Sequence, residues 1–287
     1  MSGDFLATMA ASSRARVEVA RATLSEATLL TQALNVPAAP RLRLSPRGFD
    51  LIAEVKLRSP AAGQLKGGDE DVAARVIDYA EAGATAISVL TEPSRFDGAL
   101  EHLRLAVRSL AGRVPAMRKD FIVDPYQVIE ACAAGAGGVL VILRMLSPAE
   151  NAALIECATR LGLFVLLEAF DEQDLAQAQQ LLRTHGAAAT AAQAPLLVGI
   201  NCRDLSSLQV VPGRLLSLAA QLPRAAGRVA ESGVESEQDV RELAAAGYDL
   251  ALIGSSLMRA AEPRVVVRAL LTAGREAAQQ RRRTSAA

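Results

Sequence analysis

The sequence predicts a (β/α)8 TIM barrel with an extra N-terminal helical segment, and three observations predict it. Eight short apolar runs alternate with eight stretches of helical length, the pattern of a parallel sheet joined by crossover helices. The runs are apolar throughout, not at every second residue, as strands buried on both faces require. The Gly-x-Gly-x-x-Gly turn of a doubly wound open sheet, the structural rival, does not follow the first run.

Taken in order, residues 5 to 35 read as helical, with Met9, Val17, Val19, Leu24 and Leu29 among alanines and polar residues, until Pro37, Pro40 and Pro46 break the pattern. Strands are expected at Leu51–Val55, Ala86–Leu90, Pro115–Met117, Gly138–Leu143, Leu163–Leu167, Leu196–Ile200, Arg228–Ala230 and Leu250–Ile253. Between and after them, helices are expected near 70–82, 99–110, 125–134, 148–161, 171–182, 212–221, 235–246 and 263–272. The Ala-rich stretch Arg183–Ala194 reads as a loop insertion before the sixth strand. The division that follows is a helical extension over 1–48, a catalytic barrel over 49–275 and a flexible tail over 276–287.

Composition narrows the function. With 287 residues, 51% hydrophobic and 22% charged, the chain can bury a sizeable core. Acidic and basic residues balance at 31 each and aromatics are 3% with no Trp, which argues against nucleic-acid partners. The cysteines Cys132, Cys157 and Cys202 form no CxxC pair, and His102 and His185 are the only histidines, so neither a metal site nor a disulfide framework is expected. No apolar run reaches membrane length and the N-terminus lacks a signal-peptide pattern, so a cytoplasmic protein without a membrane partner is expected.

In a barrel of this kind the site lies at the C-terminal ends of the strands. Those ends present Glu54 and Lys56, Thr91-Glu-Pro, Arg118-Lys-Asp-Phe121, Arg144, Glu168, Asn201-Cys-Arg-Asp204, Glu231-Ser-Gly233 and Gly254-Ser-Ser256. Glu54 and Lys56 are two residues apart and so share one strand face. Two lysines and two glutamates converging on one cavity would perturb one another's ionisation, which suits acid–base chemistry. Small residues at Ser232-Gly233 and Gly254-Ser255, after strands seven and eight, mark an anion site of the kind that holds phosphate. Cys202 has no histidine partner and reads as a packed thiol. Arg144 is open between a structural ion pair and the cavity.

The blocks Ala53-Glu-Val-Lys-Leu-Arg-Ser-Pro60, Ser88-Val-Leu-Thr-Glu-Pro93, Arg118-Lys-Asp-Phe-Ile122, Gly199-Ile-Asn-Cys-Arg-Asp-Leu205, Ala230-Glu-Ser-Gly-Val234 and Ile253-Gly-Ser-Ser-Leu-Met-Arg259 resemble indole-3-glycerol phosphate synthase. The resemblance runs in order from about residue 9 to 262 and includes the N-terminal helix that caps the barrel in that family. It implies a carboxy-lyase of tryptophan biosynthesis that uses no cofactor and no metal. Its substrate would be a phosphorylated small molecule, 1-(2-carboxyphenylamino)-1-deoxyribulose 5-phosphate. It also implies a monomer or weak homodimer.

By motif position, Lys119 would be the general acid, Glu54 its partner and that of Lys56, and Lys56 the ligand of the anthranilate carboxylate. Glu168 would act in decarboxylation and dehydration, with Lys56 and Glu168 both open as the acid of dehydration. Asn201 and Arg203 would orient the substrate, Phe96 and Leu90 would wall its ring, and Ser59, Ser232, Gly233, Gly254 and Ser255 would hold phosphate. Three departures stand out. Cys202 replaces a small polar residue, the loop before strand six is long, and Pro60-Ala-Ala-Gly63 lacks a serine. The rival readings are a phosphoribosylanthranilate isomerase-like barrel, expected to use a Cys/Asp pair, and a relative that only binds a phosphorylated metabolite.

Overall fold

A computed structural model describes residues 5–60, 63–65, 71–205 and 207–286. Eight parallel strands close into a barrel in which each pairs with its neighbours in sequence. They are β1 (Asp50–Val55), β2 (Ala86–Leu90), β3 (Ala116–Lys119), β4 (Gly138–Ile142), β5 (Phe164–Ala169), β6 (Leu196–Asn201), β7 (Gly227–Glu231) and β8 (Leu250–Ile253). Helices α1 (Phe5–Thr23) and α2 (Glu26–Asn35) precede the barrel, and α3 (Val72–Ala82) follows β1. The one-turn α4 (Pro93–Phe96) and α5 (Leu100–Leu110) follow β2; α6 (Pro125–Ala133), α7 (Pro148–Arg160) and α8 (Glu172–Ala191) follow the next three strands. The ring ends with α9 (Arg214–Leu218), α10 (Glu237–Ala246), the short α11 (Ser255–Arg259) and α12 (Pro263–Ala286).

Local chemistry explains where the helices begin. Asp71, Asp124, Ser147, Asp171 and Ser236 each accept a hydrogen bond from a first-turn N–H, which satisfies a donor the helix itself cannot. Inside the barrel, Ile52, Met117, Leu140, Phe164, Leu166 and Leu250 form a packed apolar floor. Burying each such side chain contributes roughly 1.5–3 kcal/mol. That floor lets the strand ends above it carry charge. Helix α1 buries Leu6, Met9, Ala10, Ser13 and Val17 on one face, and its Leu6 and Met9 join the same interior cluster.

Three expectations change. The single helix over 5–35 is two, divided at Ser25, whose side chain caps α2 through the Thr28 N–H. Arg183–Ala194 is not a loop insertion: α8 continues to Ala191 and buries Leu181 and Ala189, in keeping with the helix propensity of alanine. The expected tail from 276 is helix as far as Ala286. It is pinned to the chain ahead of β1 and to β1 itself, where Arg275 donates to Phe49 O and pairs with Asp50 at 3.0 Å, Ala278 is buried, and Arg282 donates to Pro46 O. Among the described residues no helix is long and apolar enough to cross a membrane.

Candidate active site

Strand parity decides which charges meet. Side chains two apart share a face, so above the inward Ile52, Met117, Leu166 and Val229 come Glu54, Lys119, Glu168 and Glu231. The register sets Glu168 between Ile142 and Gly199, and Asn201 beside Glu231. The mouth they line holds about 1060 Å³ of empty space, its solvent-open part included.

All the expected site residues line this mouth. Glu54, Lys56, Lys119, Glu168 and Asn201 lie around its base, with Ser59, Phe96 of α4 and Arg203 in the segments that follow β1, β2 and β6. Ser232 and Gly233 follow β7, and Gly254 and Ser255 follow β8. The turn after β7 is unusual. Ser232 adopts φ 65° and Gly233 φ 70°, a left-handed conformation that costs a non-glycine residue about 1–3 kcal/mol. Such strain persists where surrounding structure enforces it, here at the rim of the cavity.

The pairing of charges differs from the expectation in one respect. Lys56 Nζ lies 2.7 Å from Glu54 Oε1, but the direct partners of Lys119 are Glu168 Oε2 at 3.4 Å and Glu231 Oε2 at 3.7 Å. Glu54 acts on Lys119 only through its field. Burial works against the Lys119 ammonium, and the charges of Glu168, Glu231 and Glu54 more than offset it, so its pKa stands above the ordinary lysine value. Burial, reinforced by the charge of Glu168 and only partly opposed by Lys119, pushes Glu231 well above the usual carboxylate range. Glu231 is 1% exposed and, counted as a carboxylate, finds no hydrogen-bond donor for either oxygen among the described residues; among them Glu54 Oε2 is likewise buried without a donor. The base of the cavity is thus charged and buried.

Glu231 is the residue the sequence reading passed over. Its block was read for the phosphate signal of Ser232-Gly233, although its parity with Val229 marks it as inward. Two aromatic rings were also missed. Phe121 follows β3 and packs against Phe5 of α1 and Phe96 of α4, with ring centroids 5.9 and 6.2 Å apart. Both Phe5 and Phe121 line the cavity beside Leu90. No sequence pattern announces that a helix before the barrel sends a ring into its mouth.

Other expectations resolve locally. Arg144 pairs with Asp171 and Asp174 and lies over the Phe170 ring, 4.5 Å from its centroid, which makes it structural. Cys202 is buried with Sγ 3.0 Å from Val211 O, and burial pushes its thiol upward. It is not among the residues that line the cavity. Asn201 Oδ1 accepts from the Arg203 N–H, and Arg203 Nη1 donates to Leu208 O, so the two are braced by their own loop. Of the Pro60-Ala-Ala-Gly63 stretch, Ala61 and Ala62 lie outside the described residues.

The comparisons with known proteins agree with this geometry. Among solved structures, 3-hexulose-6-phosphate synthase from Salmonella typhimurium superposes with a TM-score of 0.57 over 81% of this chain and 99% of its own, at 18% identity. Thiamine phosphate pyrophosphorylase from Pyrococcus furiosus gives 0.56 over 81% and 99%, at 17% identity. Those likenesses establish the fold. The indole-3-glycerol phosphate synthase of Salinibacter ruber is 40% identical over 83% of this chain and 83% of its own. That of Kineococcus radiotolerans is 43% identical over 82% and 80%, and that of Rhodopirellula baltica 38% over 88% and 92%. The family model described as indole-3-glycerol phosphate synthase matches residues 6–270, and the chain belongs to that family.

Proposed function

We propose that this chain closes, decarboxylates and dehydrates 1-(2-carboxyphenylamino)-1-deoxyribulose 5-phosphate to indole-3-glycerol phosphate, as a carboxy-lyase working without metal or organic cofactor in the cytoplasm. The observation that carries the reading is the Lys119 ammonium held between Glu168 and Glu231 at the base of a partly aromatic cavity. Protonating a carbonyl needs a loaded donor already aimed at it, and the three carboxylates keep Lys119 charged.

In the first step the anthranilate ring carbon attacks the ribulose carbonyl, and Lys119 delivers a proton to that oxygen. Lys56, paired with Glu54 and only partly exposed, binds the anthranilate carboxylate until it leaves as carbon dioxide. The new hydroxyl then departs as water, with the proton from Lys56 or Glu168, and the C–H proton on the former ribulose C1 is lost to a base, which leaves the ring-closing double bond of the indole. Phe5, Phe96, Phe121 and Leu90 wall the ring, and Asn201 and Arg203 orient the sugar. The phosphate lies at the rim formed by Ser59, Ser232, Gly233, Gly254 and Ser255. The isomerase-like rival is disfavoured because Cys202, the thiol nearest the strand ends, is engaged with Val211 away from the cavity. The protein acts as a monomer or weak homodimer, with no nucleic-acid or membrane partner.

The test is a fluorescence assay for indole-3-glycerol phosphate, with EDTA present. Sustained turnover supports reaction and metal independence together. Substrate binding without turnover would replace this reading with that of a binding protein.

A further inference from the structure

Gly199 occupies an inward position of β6, directly beside Glu168 in register. Its φ is not in the left-handed region, so the backbone does not call for glycine there. Space does. A Cβ on residue 199 would lie 2.1 Å from Glu231 Oε1, 3.1 Å from Glu231 Cδ and 3.1 Å from Leu166 Cδ1. The Glu231 side chain leans across from β7 and lays its carboxyl where residue 199 has no side chain. Any other residue would push that carboxyl aside by about an ångström, since real contacts to a Cβ are not closer than 3.0 Å. Gly254 stands in the same relation to Glu54, whose Oε1 would lie 2.4 Å from a Cβ at 254.

We infer that Gly199 is a positioning residue: its missing side chain is the seat of the Glu231 carboxyl and sets the distance of Glu231 from Lys119 and Glu168. Below the carboxyl the floor is packed, so a displaced Glu231 can move only up into the cavity, away from its present place beside Lys119 and Glu168. Leu166 and Leu197 fill the space below it, and Lys119, Glu168 and Glu54 face it from β3, β5 and β1. The chemistry of the site therefore depends on a residue that touches no substrate. This inference rests on the synthase reading, and wild-type turnover tests that reading separately.

The experiment compares Gly199→Ala in two backgrounds, wild type and Glu231→Gln. Gln has the shape of Glu, so the steric clash with a Cβ persists in both; only the carboxyl chemistry differs. In the wild-type background Gly199→Ala should lower kcat about 10²-fold with KM nearly unchanged, the cost of an ångström misplacement. In the Glu231→Gln background the same substitution should cost little, because the carboxyl whose position beside Lys119 it disturbs is already gone. The pH–rate profile of Gly199→Ala should also shift in the direction in which Glu231→Gln shifts it, since both disturb the same carboxyl beside Lys119. Thermal unfolding of all four proteins shows whether each is folded. An equal loss of kcat in both backgrounds would overturn the inference, as would a Gly199→Ala enzyme with wild-type kcat. If Gly199→Ala fails to fold, the Glu231→Asp enzyme serves instead, its shorter side chain drawing the carboxyl back from the seat. A kcat for Glu231→Asp equal to wild type would show that the seat does not govern the reaction.

Discussion

Arg118 and Lys119 are neighbours on β3, yet one end of one strand sends them into opposite electrostatic circumstances. Arg118 faces outward beneath α1 and α6, and every part of its guanidinium is engaged. Nη2 pairs with Asp120 at 3.0 Å, Nη1 with Glu130 at 2.6 Å and with Gln127 O, and Nε donates to Thr91 Oγ1. Asp120 is held in turn by Arg16 of α1 at 2.8 Å and by the Thr91 hydroxyl. Despite burial, the charges of Arg118 and Arg16 pull Asp120 down to about 2. Lys119 faces inward, where carboxylates outnumber cations and Glu231 and Glu54 keep oxygens without donors. Outside the barrel wall the charges close on themselves; inside, carboxylates crowd round Lys119 at the base of an open cavity. A satisfied network specifies and stabilises, whereas an unsatisfied one is costly to the fold and useful to chemistry.

The comparison breaks most visibly at its two centres. Lys119→Ala should reduce kcat by about 10³-fold or more, at the upper part of what a general acid contributes, while unfolding remains cooperative. A steady-state rate near wild type would remove Lys119 from the acid role. Asp120→Ala should do the reverse and act on stability. Removing it leaves Arg118 and Arg16 facing an uncompensated buried site, for a loss of about 3–5 kcal/mol in urea unfolding at neutral pH. A loss below ~1 kcal/mol would show that the outer network is not a stabilising one. Because the folded value of Asp120 is depressed from 3.8 to about 2, its contribution is complete above 3.8 and is lost as pH falls through about 2. That shift corresponds to about 2 kcal/mol, so the gap between wild type and variant should narrow by that amount over the same window.

The division between the two networks was only partly legible beforehand. The barrel, its strands and the inward Glu54, Lys56, Lys119 and Glu168 follow from period and parity, because a strand end has only two faces. Arg118-Lys-Asp-Phe121 read as one block delivering polar groups to one place. Which of its charges are chemical depends on α1, whose Arg16 reaches Asp120 and whose Phe5 reaches Phe121. Those contacts span more than a hundred residues and have no period. Glu231 is legible by the same parity, two residues beyond the inward Val229, but the Ser232-Gly233 motif beside it is the stronger sequence signal. The reach of α8 and α12 was missed for another reason: alanine and arginine runs read equally as loop, tail or helix until burial of Ala189 and Ala278 and the pairing of Arg275 decide.

Glu231 sharpens the contrast by pH. Its folded value is raised, so its contribution is complete below the unfolded value near 4.5 and is lost as pH rises toward and through the folded one. Glu231→Gln cannot ionise and should gain stability relative to wild type as pH rises from about 5, with a slope of up to ~1.4 kcal/mol per unit. This is the opposite sign to Asp120→Ala. Urea midpoints measured at pH 5 and pH 8 decide it: a wild-type advantage that stays constant would mean that Glu231 is ionised without penalty.

The smallest effect is expected at Cys202, and it tests where the boundary between the two regions lies. The thiol sits one residue beyond Asn201, close in sequence to the cavity, yet it is buried and its Sγ lies 3.0 Å from Val211 O. Burial pushes its pKa upward, so it remains a protonated donor and a poor nucleophile. Serine can donate to the same carbonyl over a shorter reach, and it loses only part of the packing of the larger sulfur. Cys202→Ser should therefore cost about 1 kcal/mol or less in stability and leave kcat within about twofold of wild type. The native thiol should react slowly with an aromatic disulfide reagent until the protein unfolds. A tenfold fall in kcat, or rapid modification of Cys202 that substrate protects against, would place the thiol on the chemical side of the wall with Lys119.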